Sequence, residues 1–145
     1  MNGRRTVQWL VILGAFAALA CGRSGIQPLP WGTAQIEVQL KLPLQYVSYD
    51  FKWAGTYLGD GTTTAGDSLS SVTASQLNAN GGRLVFPESP ALNPGKWQFG
   101  INVLGDGQLV LATTCNQQIY VDRMVKLKFT EGGTGCVCLF GCSPP

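Results

Sequence analysis

The sequence predicts an all-β fold: an antiparallel β-sandwich of about seven strands, preceded by an N-terminal signal helix. Three observations carry this expectation. Apolar and polar residues alternate with period two in one segment after another from residue 34 onward. Nineteen glycines and eight prolines supply the turns between them. Beyond the N-terminal apolar run, no segment has helical periodicity.

The elements follow in chain order. Residues 1–6, MNGRRT, carry Arg4 and Arg5, and residues 7–20, VQWLVILGAFAALA, are almost wholly apolar. A charged start, an apolar middle and small residues at a cut site make a secretory signal. The run is shorter than the ~20 apolar residues of a spanning helix. Ala18-Leu19-Ala20 satisfies the small-x-small rule of ordinary signal peptidase. Cys21 follows immediately, and Gly22–Gly32, GRSGIQPLPWG, with three glycines and two prolines, reads as a short leash.

The body then alternates. Ile36, Val38, Leu40 and Leu42 form one apolar face, with Gln35, Glu37, Gln39 and Lys41 on the other. Val47, Tyr49, Phe51 and Trp53 form a second, Trp97, Phe99, Ile101 and Val103 a third, and Val125, Leu127 and Phe129 a fourth. Weaker strands are expected at LSSVTASQL (69–77), GRLVFPE (82–88) and QLVLATTCNQQIYV (108–121). Between them, GDGTTTAGDS (59–68) reads as a flexible Gly-rich loop.

Turn chemistry sets the expected connections. Asn93-Pro94-Gly95-Lys96 suits a type II turn, with Pro94 fixing φ and Gly95 at positive φ. For Leu104–Gln108 two registers compete. A two-residue Asp106-Gly107 turn sets Val103 opposite Val110. A three-residue loop sets Val103 opposite Leu109 and Ile101 opposite Leu111, and is preferred because it matches apolar to apolar. The same logic makes Val121–Val125 a hairpin pairing Ile119 with Leu127.

Five cysteines are present: Cys21, Cys115, Cys136, Cys138 and Cys142. Setting aside Cys21 leaves an even set, which in an exported chain reads as two disulfides. Cys136 and Cys138 would lie ~6.6 Å apart in a strand, the least favourable bridge. Cys115 is therefore expected to join one of them and Cys142 the other. The organisation expected is a signal peptide over 1–20, a linker over 21–32, a β-sandwich over 33–132 and a Cys-rich tail over 133–145 stapled to it. A four-thiolate zinc site is disfavoured, because its paired C-x-x-C knuckles are missing.

Two resemblances sharpen this picture. Ala18-Leu19-Ala20-Cys21 resembles a bacterial lipobox, with Ala20 matching and Ala18 and Leu19 departing from the preferred residues. It implies lipidation at Cys21 and a membrane anchor; Gly22, in place of an inner-membrane retention Asp, implies an outer-membrane destination in a diderm cell. The competing reading is an ordinary export signal with Cys21 free or disulfide-bonded. LNPGKWQFGINVLGDGQLVLATT followed by MVKLKFTEG resembles the C-terminal half of bacterial extracellular Ig-like or transthyretin-like sandwiches. It implies the sandwich and transfers no functional residue.

Composition limits the chemistry. With Arg4 and Arg5 set aside from the ten basic residues, eight face eight acidic ones, so no basic field exists for nucleic acid. Histidine is absent, which removes the commonest general base and metal ligand. Asp50, Asp60, Asp67, Glu88, Asp106, Asp122 and Glu131 fall at turns or on polar strand faces and read as solvated or capping groups. No metal or cofactor is expected: Asp60 and Asp67 could offer oxygens to calcium, but their spacing does not match an EF-hand loop. Trp53 and Trp97 could stack a sugar if exposed, with core packing the default; Trp31 sits in the leash. The expectation is a non-enzymatic, lipid-anchored cell-envelope module whose partner is an envelope protein or a glycan. Carbohydrate recognition by aromatics is the alternative, and a carboxylate-based envelope hydrolase ranks last.

Overall fold

The computed structural model describes residues 30–144. The segment expected to be a signal sequence, Cys21 and the expected leash up to residue 29 lie outside the described residues. Among the described residues no helix is long and apolar enough to cross a membrane.

Eight strands and one short helix build two four-stranded sheets. The strands are β1 (Thr33–Gln39), β2 (Ser48–Tyr57), β3 (Thr64–Thr73), β4 (Arg83–Val85), β5 (Gly95–Gly105), β6 (Gln108–Ile119), β7 (Met124–Thr130) and β8 (Val137–Phe140). Helix α1 spans Ala74–Ala79. Sheet I has the order β4-β1-β7-β8, and sheet II the order β3-β2-β5-β6. All pairings are antiparallel except β1 with β7, which run parallel.

The alternation works as a two-faced pattern should. Ile36, Val38, Val125, Leu127 and Phe129 turn inward from sheet I, where all are buried. Tyr49, Phe51, Trp53, Trp97, Phe99, Ile101 and Val103 meet them from sheet II. Trp97 and Phe99 are stacked at 6.1 Å and 17°. Gly55 makes room for them: a Cβ there would lie 3.0 Å from the Phe99 ring. Burying each such side chain contributes about 1.5–3 kcal/mol, and this drives the two sheets together.

Several expectations are corrected. LSSVTASQL is the end of β3 followed by α1. Thr73 and Gln76 form a reciprocal capping box, a helix-start signal that outweighs the short alternation before it. GDGTTTAGDS is only half loop: Asp60 closes a tight turn and β3 begins at Thr64. Leu42 and Val47 lie beyond the strand ends and are exposed. The tail is more than stapled, because Val137–Phe140 adds β8 to sheet I.

Both β-turn registers are replaced by a third. Asp106 and Gly107 both have positive φ, 47° and 81°, and form a two-residue turn closed by Gly105 and Gln108. A bulge at Val110 then shifts the register, so Val103 faces Leu111 and the apolar match is recovered. Val121–Val125 is no hairpin. β6 belongs to sheet II and β7 to sheet I, and the connection crosses between them. Asp122, at φ 53°, redirects the chain, and its N–H donates to the Trp31 carbonyl while the Thr33 N–H donates to that of Arg123. These bonds seat β7 beside β1. Gly95 does take positive φ, and a Cβ there would also strike the Tyr57 ring at 2.8 Å.

Candidate functional site

The outward face of sheet II is unusually short of side-chain bulk along one line. The register aligns Gly66 of β3, Ala54 of β2, Gly100 of β5 and Thr114 of β6 in a single row across the sheet. The next row is Ser68, Lys52, Asn102 and Ala112. The β2, β5 and β6 members of these rows leave a shallow depression of about 760 Å³. Gly66 is needed for the approach of its own strand: a Cβ there would lie 2.7 Å from the Trp53 carbonyl.

Thr134 and Gly135 wall one end of the depression. They arrive from the segment that links β7 to β8, around the free edge of β6. Two bonds hold them there. The Gly135 N–H donates to Thr113 Oγ1 at 2.9 Å. The next residue, Cys136, is bridged to Cys115 with Cα atoms 5.6 Å apart. A second bridge, Cys138–Cys142, spans 6.2 Å and closes the tail on itself. This is one of the two pairings that the cysteine spacing left open.

The lining offers threonine hydroxyls, one carboxamide at Asn102 and one ammonium at Lys52. These groups donate and accept hydrogen bonds over a nearly flat floor. The carboxylates lie elsewhere, and all but that of Asp122 are engaged by neighbouring groups of the fold. Asp106 accepts from the Val47 and Ser48 N–H groups at 3.0 and 3.1 Å, which hold its carboxyl below the usual range. Asp60 accepts from the Thr63 hydroxyl and from the N–H groups of Thr63 and Thr62, and its carboxyl is pushed down to about 2. Asp50 accepts from Ser71 N–H, Glu131 from Lys41 N–H, Asp67 from Ser68 N–H and Glu88 from the Thr33 hydroxyl. Asp122 is a turn residue. Asp60 and Asp67 do not share a loop, since Asp67 lies within β3 opposite Trp53. No group of three or more His, Cys, Asp or Glu converges as a metal site among the described residues.

Trp53 and Trp97 are each 1% exposed, which corrects their reading as sugar-stacking candidates. Their ring faces already pack against Phe99 and Tyr57, so no sugar can reach them. Trp31 is 38% exposed.

Two features escaped the sequence. Glu37 reads as one more polar strand position, yet it is 3% exposed beneath Arg83, Lys126 and Lys128. A lone acid between strands that present three cations was the available signal. The depression left none, because its small residues lie on three strands and on the segment after β7, and only the fold brings them together. Compared with protein-family models, curated proteins and solved structures, the chain matches none.

Proposed function

We propose that this chain is a membrane-anchored cell-envelope lipoprotein whose Ig-like or transthyretin-like sandwich serves as a non-enzymatic binding module. Cys21 carries the lipid, and the sheet II depression receives an uncharged, hydrogen-bonding partner such as an envelope protein strand or a glycan. The observation that carries this reading is the commitment of all four body cysteines to two bridges. Disulfides of this kind persist in oxidising compartments, which supports export. The positions of the carboxylates support the non-enzymatic part, since none lines the depression.

Mass spectrometry of the native N-terminal peptide tests the anchor: Cys21 is expected to be acylated and to be the first residue. An unmodified Cys21, or a chain still beginning at Met1, overturns it. Titration with soluble cell-wall glycan fragments and envelope peptides tests the binding face. Amide shifts are expected at Gly100, Thr114 and Gly135, and Gly100→Val, which fills the floor, should abolish them. Shifts mapping to another surface would remove the depression from the proposal.

A further inference from the structure

The end of the sandwich at which the N-terminal segment enters exposes several apolar side chains. Trp31 is 38% exposed, Val121 and Leu139 are each 46% exposed, and Phe140 is 63% exposed. They come from three separate parts of the chain. The fold ties them together: Asp122, next to Val121, donates to the Trp31 carbonyl, and Arg123 donates to the Ser143 carbonyl at 2.9 Å. Asp122, Arg123, Leu139 and Phe140 border the same surface cavity. Phe140 also pairs with Lys126, whose ammonium is drawn to Glu37, so Arg123 is the cation that borders the apolar group.

We infer that this end is a membrane-contact surface, seated in the polar–apolar interface of the bilayer that holds the chain. The inference rests on the proposed membrane anchor and adds an orientation to it. Chain length supplies the occupant. Only nine residues separate Cys21 from Trp31. Even fully extended they reach about 30 Å, so this end stays close to the anchor. Exposed Trp and Phe beside Arg are the residue types that settle at a bilayer interface, rings among the glycerol groups and the guanidinium on phosphate. The opposite end exposes Val47 (77%), Leu109 (63%) and Leu42 (53%), so exposure alone does not choose between the ends; the short tether from Cys21 does. The proposed anchor joins the chain at the Trp31 end, so Leu109 serves as an internal control.

The test uses the full chain, expressed with its own N-terminal segment and reconstituted into vesicles of phosphatidylcholine and phosphatidylglycerol containing brominated lipid. The signal is the tryptophan quenching of the wild type minus that of Trp31→Phe, which cancels every other indole. Sedimentation with the vesicles is read in parallel. Expected is strong quenching assigned to Trp31, lost for the most part in Phe140→Asp and in Val121→Asp, and unchanged in Leu109→Asp. Co-sedimentation without Trp31 quenching overturns the contact surface and leaves the anchor standing. Failure to sediment removes the anchor and the orientation with it. A concentration-dependent dimer that shields Trp31 from brominated lipid assigns the patch to a second copy and also overturns the inference.

Discussion

The Glu37 carboxylate lies 2.8 Å from the Arg83 guanidinium and is almost completely covered, with its side chain 4% exposed. Lys126 and Lys128 reach it from β7 at 3.5 and 3.8 Å. Three strands of sheet I are therefore joined across their outer face by one buried acid. The hydrogen bond from Arg83 holds its carboxyl below the ordinary value of 4.5, against the opposing effect of burial. A carboxyl lowered by folding stabilises the fold above its unfolded value, and that contribution is lost as the pH falls through the folded value. Glu37→Gln should cost about 1–2 kcal/mol near neutral pH, the scale of charge-assisted hydrogen bonds offset by relief of burial. Urea unfolding should show the gap from wild type closing as the pH drops below 4.5. In Arg83→Ala the acid limb should move to higher pH, because the largest cause of the lowering is gone.

The two disulfides should differ in weight. Cys115–Cys136 closes a separation of 21 residues and Cys138–Cys142 one of 4. Loop-closure entropy gives about 3 kcal/mol for the longer and about 2 kcal/mol for the shorter. Paired serine substitutions, compared by denaturant midpoint, should reproduce that order. The Cys115→Ser/Cys136→Ser protein should also lose hydrogen-exchange protection at Gly135, whose bond to Thr113 sits one residue from the bridge. Equal midpoints for the two double variants would count against the assignment.

Most of the sandwich was legible because period-two alternation reports directly which side of a strand is buried. Phe51, Trp53, Phe99, Ile101, Leu127 and Phe129 all turn inward as the alternation requires. Alternation does not say which sheet a strand joins. Ile119 and Leu127 are both buried, and that is equally true of a hairpin and of the crossover that occurs. Nor does it register a one-residue bulge, so the pairing of Val103 with Leu111 was out of reach. The site suffers most from this. Ala54, Gly100, Ala112 and Thr114 are unremarkable within their own strands, and only the lateral register makes them a floor.

The two core tryptophans should respond differently to the loss of their indole N–H. Trp97 donates to the Asn93 carbonyl at 2.8 Å, whereas Trp53 Nε1 is buried without a partner. A buried unpaired donor costs stability, and removing it offsets part of the volume lost in Trp→Phe. Trp53→Phe should therefore be less damaging than Trp97→Phe, by about 1 kcal/mol. Thermal unfolding of the two variants checks the difference, and the reverse order would refute the role given to the unpaired donor.

The turn at Asp106 offers a local test that leaves the core untouched. Its two carboxylate oxygens accept separately, Oδ2 from Val47 N–H and Oδ1 from Ser48 N–H, and so tie the β1–β2 loop to the β5–β6 hairpin. Tyr46 packs over Gly105 in the same junction, where a Cβ would lie 2.2 Å from its ring. Asparagine keeps the left-handed backbone conformation that this position needs, since it tolerates positive φ. It supplies only one acceptor oxygen. Asp106→Asn should thus leave the turn formed and expose one of the two amides. Hydrogen exchange should speed up at Val47 or Ser48 alone, with β2 and β5 unchanged. In the wild type both amides should stay protected into mild acid, because their own hydrogen bonds hold the Asp106 carboxyl below its usual range. Protection should fall only when the pH drops through that lowered value and the carboxylate is protonated. Loss of protection throughout β5 in Asp106→Asn would mean that the carboxylate supports the hairpin itself and not only the loop it caps.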